Sequence, residues 1–286
     1  MLFKNLGLQG SMTYLMNDDV KKILEEADAI VIGAGAGLSA AAGFEYGGKT
    51  FLDNFKYMHD EYGYNDMYSA GFHDFDTNEE YWGYWSKMIY LNRYKLGSLP
   101  LYQTIYNLVN DKNYFVITTN VDHQFQLAGF NKERLFYMQG DYGLFQCSVP
   151  CHQKTYDNEA QIKEMLGSIK DNKISKSLIP RCPKCGSIMI PNLRCDNHFV
   201  EDLGWHNAKK KYDNFIKQYK NKKIVFLELG VGFSTPVWIK YPFINMTYLN
   251  KAATYICVDN GYVEIPNEIK NQSLIFHQDI NEFFDE

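Results

Sequence analysis

The chain has 286 residues, 45% hydrophobic and 22% charged, with a formal net charge of −5 at pH 7. That balance fits a globular chain with a large core, in one big domain or two small ones, and the negative charge argues against a general nucleic-acid binder. No apolar run is long enough to span a bilayer, and residues 1–20 lack the basic-then-apolar layout of a signal peptide; the expected location is the cytoplasm, where six cysteines point to metal or free thiols rather than disulfides.

Residues 19–27 read as an amphipathic helix, with Val20, Ile23, Leu24 and Ala27 on one face and Asp18 or Asp19 as cap. A buried strand at 29–32 runs into Gly33-Ala34-Gly35-Ala36-Gly37-Leu38-Ser39. Strand, glycine turn and helix in that order allow backbone to approach a ligand, and a helix amino terminus favours phosphate. The turn is not a dehydrogenase fingerprint: Leu38 stands where the third glycine of GxGxxG belongs, and no acidic residue clearly follows a second strand. Between Phe44 and Tyr94 there are sixteen aromatic residues with scattered glycines. This predicts a helical insert over the mouth of the sheet, mostly core, with Phe44, Tyr46 and Phe51 as candidates to line a pocket.

A helix at 100–109 leads to a β-branched, apolar strand at 114–118, which ends in Thr119-Asn120-Val121-Asp122 with a helix expected over 121–127. The next strand, 135–138, ends in Gln139-Gly140. Asn120, Asp122 and Gln139 therefore fall just past the carboxyl ends of strands, where open α/β sheets bind ligands; alternatively Asn120 and Asp122 only cap a helix. Cys147-Ser-Val-Pro-Cys151 and Cys182-Pro-Lys-Cys185-Gly186 have the spacing of a four-thiolate zinc site, in which a filled tetrahedron makes the metal structural. His152 is a rival ligand, and four unrelated buried thiols are the alternative.

The strand at 223–229 ends in a second glycine turn, Gly230-Val231-Gly232-Phe233-Ser234-Thr235, and the strand at 254–258 ends in Asp259-Asn260. A last strand is expected at 273–276 and a helix from about 279. Lys209, Lys210, Lys211, Lys217, Lys220, Lys222 and Lys223 form a solvated helix face or, as a second reading, a docking surface for an acidic partner. The fold class is α/β: a Rossmann-like parallel sheet (19–145 and 196–286) with an aromatic-rich helical insert (about 44–95) and a smaller zinc-ribbon domain (146–195).

The glycine turn ending in Ser39, Thr119-Asn120-Val121-Asp122, Gln139-Gly140, the two cysteine pairs, Leu193-Arg194, Gly230 to Ser234 and Val258-Asp259-Asn260 fall in the order seen in sirtuins, and the chain resembles that family over about residues 19–279. It departs from ordinary sirtuins in two places. Gln139-Gly140 replaces the His-Gly of most deacylases, and Phe44-Glu-Tyr-Gly-Gly replaces Pro-Asp-Phe-Arg. Both departures resemble the macrodomain-linked (class M) bacterial sirtuins. That resemblance implies NAD-dependent protein mono-ADP-ribosylation of a lipoyl-carrier protein related to the glycine-cleavage H protein, after lipoylation, with a macrodomain hydrolase and a lipoate ligase as companions. It implies NAD contacts from Gly33, Ala34, Gly35, Ser39, Phe44, Tyr46, Asn120, Asp122, Gln139, Gly230, Val231, Gly232, Ser234, Asp259 and Asn260, and catalytic roles for Asn120, Gln139 and Arg194. Asp122 would hold the nicotinamide carboxamide and Asn120 the ribose.

The chemistry runs parallel to the resemblance. Nicotinamide departs neutral and needs no general acid, but the ribose passes through an oxocarbenium-like state, as in glycoside cleavage. Sirtuin deacylation needs a base for a ribose hydroxyl, which His supplies near neutral pH; a Gln amide only hydrogen-bonds. A carboxylate acceptor is already ionised at pH 7 and needs no base. Arg194 either orients that carboxylate through a two-pronged hydrogen bond or forms a structural ion pair. The competing functions are deacylase, NAD glycohydrolase, and a silent NAD or ADP-ribose sensor.

Overall fold

The computed structural model describes residues 17–233 and 236–285. Six parallel strands form the main sheet: β1 (Ala29–Ala34), β2 (Tyr114–Thr118), β3 (Leu135–Tyr137), β7 (Ile224–Leu229), β8 (Thr254–Val258) and β9 (Ser273–Phe276), in the order β3-β2-β1-β7-β8-β9. Counted within this sheet the order is 3-2-1-4-5-6, the doubly wound arrangement that binds ligands where the winding reverses. Strands β1, β2 and β7 are buried at every residue, because helices cover both faces; their apolar residues run on without alternation. On one face α1 (Asp18–Glu26), α2 (Ala36–Ala41), α6 (Pro100–Val109), α7 (Gln124–Leu127) and α11 (Ile280–Asp285) pack around Ile30, Ile32, Val116 and Leu227. On the other, α9 (Leu203–Tyr219) and α10 (Lys240–Leu249) pack around Val31, Phe115, Ile117 and Phe226.

The carboxyl ends of the strands are flush. Tyr137, Thr118, Ala34, Leu229, Val258 and Phe276 lie in register across all six. The hydrogen-bond ladder continues one rung beyond that line, from Met138 N to Thr118 O, Thr119 N to Ala34 O, Gly35 N to Leu229 O, Gly230 N to Val258 O and Asp259 N to Phe276 O, all at 3.0–3.1 Å. Every polar turn singled out above therefore starts from the same edge.

A second, antiparallel sheet, β5-β4-β6, is made from β4 (Gly140–Cys147), β5 (Tyr156–Asp157) and β6 (Met189–Leu193). The expected boundary at 145/146 falls inside β4. The insert contains α3 (Gly48–Tyr62), α4 (Met67–Ala70), α5 (Asn78–Ile89) and a π-helical turn at Tyr90–Tyr94. A reciprocal cap between Thr77 and Glu80 fixes the start of α5. The insert is not a separate cover. It shares one core with the small sheet and α8 (Glu159–Ser168), where Phe51, Phe55, Trp82 and Tyr84 pack with Phe145, Cys147, Ile162 and Met189. Gly83 shows how tight the join is: a Cβ there would stand 1.9 Å from the Asn172 carbonyl oxygen.

Local expectations were shifted at their ends. Asn17, not Asp18 or Asp19, caps α1 by accepting from Asp19 N at 2.9 Å. The helix expected over 121–127 keeps only its last turn, because His123 takes a left-handed conformation (φ 67°). The third strand stops at Tyr137, where Met138 N turns to Thr118 O.

Candidate functional site

Two glycine turns interlock at the centre of the flush edge. Gly37 N donates to Gly230 O at 2.9 Å. A Cβ on Gly35 would lie 2.6 Å from Gly230 O, and one on Gly230 (φ +59°) would lie 2.4 Å from Leu38 N. These are backbone-on-backbone contacts that no side chain fits. With Gly35 N, Gly37 N and Leu38 N all donating to backbone carbonyls, less of the α2 amino terminus is open to a phosphate than the turn's sequence suggests. Gly33 lies inside β1, and a Cβ there would meet Ile239 and Phe243 at 2.4–2.5 Å, so the packing of α10 on the sheet by itself requires glycine.

Beside this turn a directed chain of hydrogen bonds joins three segments. Asn120 Nδ2 donates to Gly35 O (2.9 Å) and to Tyr102 OH (3.4 Å). Ser39 Oγ donates to Asp122 Oδ2 at 2.5 Å; its single proton is thereby used, so Tyr102 OH donates to Ser39 Oγ (3.1 Å). A carbonyl oxygen cannot donate, so Gly35 fixes the Asn120 amide with Nδ2 inward. Asn120 Oδ1 is left without a partner among the described residues. Asp122 also accepts from Gln124 N, the first amide of the short α7, at 3.0 Å; the cap position itself is His123, which makes no side-chain cap bond, so Asp122 closes the chain rather than standing as the helix cap. Burial raises the Asp122 pKa, against the hydrogen bonds from Ser39 and Gln124 N. Sequence reasoning missed Tyr102, which on an amphipathic helix reads as core.

Gln139 is half-buried, and its side-chain amide makes no hydrogen bond within the described residues; its carbonyl accepts from Arg194 N at 3.0 Å. Gly140 (φ +96°) must be glycine, since a Cβ would stand 1.9 Å from Asn192 O. Arg194 takes the ion-pair alternative: Nη2 donates to Glu201 Oε1 at 2.7 Å, and the guanidinium lies over Phe199 and between Trp205 and Trp238 at 4.2–5.5 Å. Its Nη1 donates to no described residue.

A second carboxylate escaped the sequence reading. Asp141, 4% exposed, accepts from Arg93 Nε (3.2 Å), Gly143 N (2.7 Å) and His123 Nδ1. Burial alone would raise its pKa; the His123 hydrogen bond and charge, Arg93 and the Gly143 amide outweigh that and lower it. The signal was an acid directly after Gln139-Gly140 and a histidine directly after Asp122, but their partnership is long-range.

Tyr46 OH and Tyr142 OH are 3.3 Å apart, and burial pushes both hydroxyls up. Phe44, 5% exposed, lies against Tyr46 in a tilted ring pair with centroids at 5.9 Å. Val231 has its side chain in the core under the sheet, while Gly232 is exposed. Asp259 accepts from Gly261 N at 2.7 Å and Asn260 reaches Asp279 at 3.4 Å, on the β8 side of the edge. Ser234 and Thr235 lie outside the described residues. A groove of about 790 Å³ between α10 and residues 262–269 contains none of the expected site residues.

The four sulfurs of Cys147, Cys151, Cys182 and Cys185 lie within 4.8 Å of one another. A zinc–thiolate tetrahedron with bonds of about 2.3 Å needs sulfurs about 3.8 Å apart, so the set fits a zinc ion. His152 is outside this group; its Nε2 meets Tyr156 OH at 2.9 Å. No described helix is long and apolar enough to cross a membrane.

No family model matches the chain. It is 37% identical over 278 residues, covering 95% of this chain and 88% of the relative, to a protein ADP-ribosyltransferase of Staphylococcus aureus (strain Mu50 / ATCC 700699). It is 31% identical over 249 residues to a probable bifunctional ADP-ribose hydrolase/ADP-ribosyltransferase of Fusarium oxysporum f. sp. cubense, covering 82% of this chain but 40% of that one. The fold is similar to Sir2Tm bound to a propionylated peptide (TM-score 0.58, 18% identity, 93% and 94% of the two chains). It is also similar to Sir2 with a p53 peptide and NAD+ (TM-score 0.55, 17% identity, 94% and 95%). Relatedness across almost the whole length leads to one conclusion: the chain belongs to the protein ADP-ribosyltransferases, on a fold that it shares with the Sir2 proteins.

Proposed function

We propose that this enzyme cleaves NAD at the nicotinamide–ribose bond and transfers a single ADP-ribose to a carboxylate of a lipoylated carrier protein of the glycine-cleavage H type. The C–N bond breaks with its electron pair leaving on neutral nicotinamide, and a carboxylate oxygen forms the new bond to the ribose carbon. The observation that carries the reading is the Gln139 amide, half-buried at the strand edge with no partner of its own among the described residues. It can orient a ribose hydroxyl but cannot take its proton, which handicaps deacylation and leaves transfer to an ionised acceptor open.

Asn120, its Nδ2 fixed by the Gly35 and Tyr102 bonds, would offer Oδ1 to developing positive charge on the ribose. Asp122 would take the nicotinamide carboxamide, and Gly35, Ser39, Phe44, Tyr46, Gly230, Gly232, Asp259 and Asn260 would line the rest of the NAD path. Arg194 would act on the acceptor mainly through Nη1, since Glu201 accepts from Nη2. The four cysteines would hold a structural zinc that holds the small sheet and takes no part in the reaction. The Fusarium oxysporum relative unites hydrolase and transferase in one name, which supports a macrodomain hydrolase as the reversing partner; a lipoate ligase would prepare the carrier.

The test is labelled NAD with the lipoylated carrier, read by autoradiography and intact mass. Wild type is expected to label the carrier, and Asn120→Ala to lower labelling by about a hundredfold or more, the usual cost of losing a group that stabilises charge in the transition state. Free ADP-ribose released as fast without carrier as with it would move the reading to NAD glycohydrolase; NAD binding without nicotinamide release, carrier present, would move it to a sensor.

A further inference from the structure

The inward face of α9 is apolar at helical spacing: Trp205, Ala208, Tyr212, Phe215, Ile216 and Tyr219 pack on the sheet. The outward lysines are not spread evenly. His206, Lys209, Lys210, Asp213, Lys217 and Lys220 recur at three- and four-residue steps, which places them within an arc of about 100° and along about 20 Å of one flank. Lys211 lies on the opposite flank and is tied to Glu133. Between Leu203 and Lys223 seven lysines meet one carboxylate, in a chain whose net charge is −5. Lys209 is paired with that carboxylate, Asp213, at 2.6 Å, but Lys210, Lys217 and Lys220 are exposed and pair with no carboxylate among the described residues.

The flank has direction. At its upper end His206 Nε2 stands 3.9 Å from Glu201 Oε2, and Glu201 holds Arg194, whose backbone amide bonds to Gln139. At its lower end Lys220, with Ile216, Met246 and Leu249, lines a small hollow of about 110 Å³ between α9 and α10, and Leu249 is 63% exposed. A positive track with an apolar foothold at one end and the Arg194–Gln139 corner of the candidate site at the other is complementary to a folded protein of negative charge. A single-stranded nucleic acid would need aromatic rings interleaved along the track, and none is exposed there.

We propose that this flank of α9, centred on Lys210, Lys217 and Lys220, is the docking surface for the acidic protein substrate, delivering its acceptor to the Arg194 end of the cleft. The proposal rests on the transfer reading above for the identity of the partner, not for the surface. The test uses the full chain and a lipoylated H-type carrier of net negative charge as probe, with binding read by fluorescence anisotropy and transfer by labelled NAD. Compared are wild type, the triple variant Lys210→Glu/Lys217→Glu/Lys220→Glu, its Lys→Arg counterpart, and a control with Lys170, Lys176 and Lys270 reversed. The triple reversal is expected to raise Kd and carrier KM about tenfold or more at low salt and to flatten the salt dependence. Nicotinamide release without carrier stays unchanged, and the Arg variant and the control behave as wild type. Charge-dependent binding without labelling would keep the surface and reject the transfer reading. Labelling with equal Kd in all four proteins, no binding of carrier by wild type, or tighter binding of a single-stranded RNA than of the carrier would each overturn the surface.

Discussion

Asp122 and Asp141 are both nearly fully buried, yet their surroundings treat a negative charge in opposite ways. Asp122 follows a main-sheet strand and, among the described residues, is hydrogen-bonded by a hydroxyl and a backbone amide but by no cation, so burial pulls its carboxyl up. Asp141 belongs to the small sheet, where an arginine from the insert and a histidine from the β2 turn converge on it, and its carboxyl is pulled down. Two carboxyls pushed apart by their environments commonly have different tasks. Here the raised one closes the hydrogen-bond chain that orients Asn120, and the lowered one clamps three segments together. On the reading proposed above, the ends of the main sheet hold Asn120 and Asp122, and the small sheet with the insert frames them and brings Gln139, Arg194 and Tyr46 alongside.

The largest expected effect separates these halves. Chelating the metal should strip hydrogen-exchange protection from the small sheet and the insert, whose shared core includes Cys147 and Cys182, before β1, β2 and β7 lose theirs; a structural zinc is worth on the order of 10 kcal/mol or more in small domains. Purified protein that holds no metal would remove the zinc assignment. Next is a pair of substitutions. Asp141→Ala leaves Arg93 and His123 without their counter-charge and should cost about 3–5 kcal/mol in urea unfolding. Asp122→Asn should leave stability at neutral pH equal or higher while transfer falls about a hundredfold. Equal stability losses in both would erase the distinction drawn between them.

The smallest effect is in the pH profile of unfolding. Asp141 has a folded pKa below its ordinary 3.8, so its ionisation adds stability above 3.8, and that contribution is lost as pH falls through the depressed value. Asp122 has a folded pKa above 3.8, so the folded state holds its proton longer and stability declines as pH climbs from 3.8 through the raised value. Asp141→Asn should flatten the first limb and Asp122→Asn the second, seen as urea midpoints across the acid range.

What the sequence made legible was local. Strands at 114–118, 254–258 and 273–276, the glycine turns and the two cysteine pairs each declare themselves within a few residues, and the main sheet places its strand ends on one edge. What it hid depends on distant partners. Tyr102 joins Ser39 across 63 residues of chain, Arg93 meets Asp141 across 48, and Asn120 reaches Gly35 across 85. The insert read as a cover because its aromatics have no periodic signal toward β4; only folding shows Trp82 against Phe145, with ring centroids 5.0 Å apart. Gly33 hid its packing role in the same way: its place in a glycine turn is plain, whereas its close neighbours, Ile239 and Phe243, lie about two hundred residues on.

The most direct measurement offers the enzyme both fates at once: labelled NAD, a lipoylated carrier and an acyl-lysine peptide in one reaction, with products separated by mass. The account predicts ADP-ribose on the carrier, an untouched peptide, and nicotinamide released in step with carrier labelling. Acyl-ADP-ribose formed at an ordinary sirtuin rate while the carrier stays unmodified would show that some group other than Gln139 takes the ribose proton, and would contradict it.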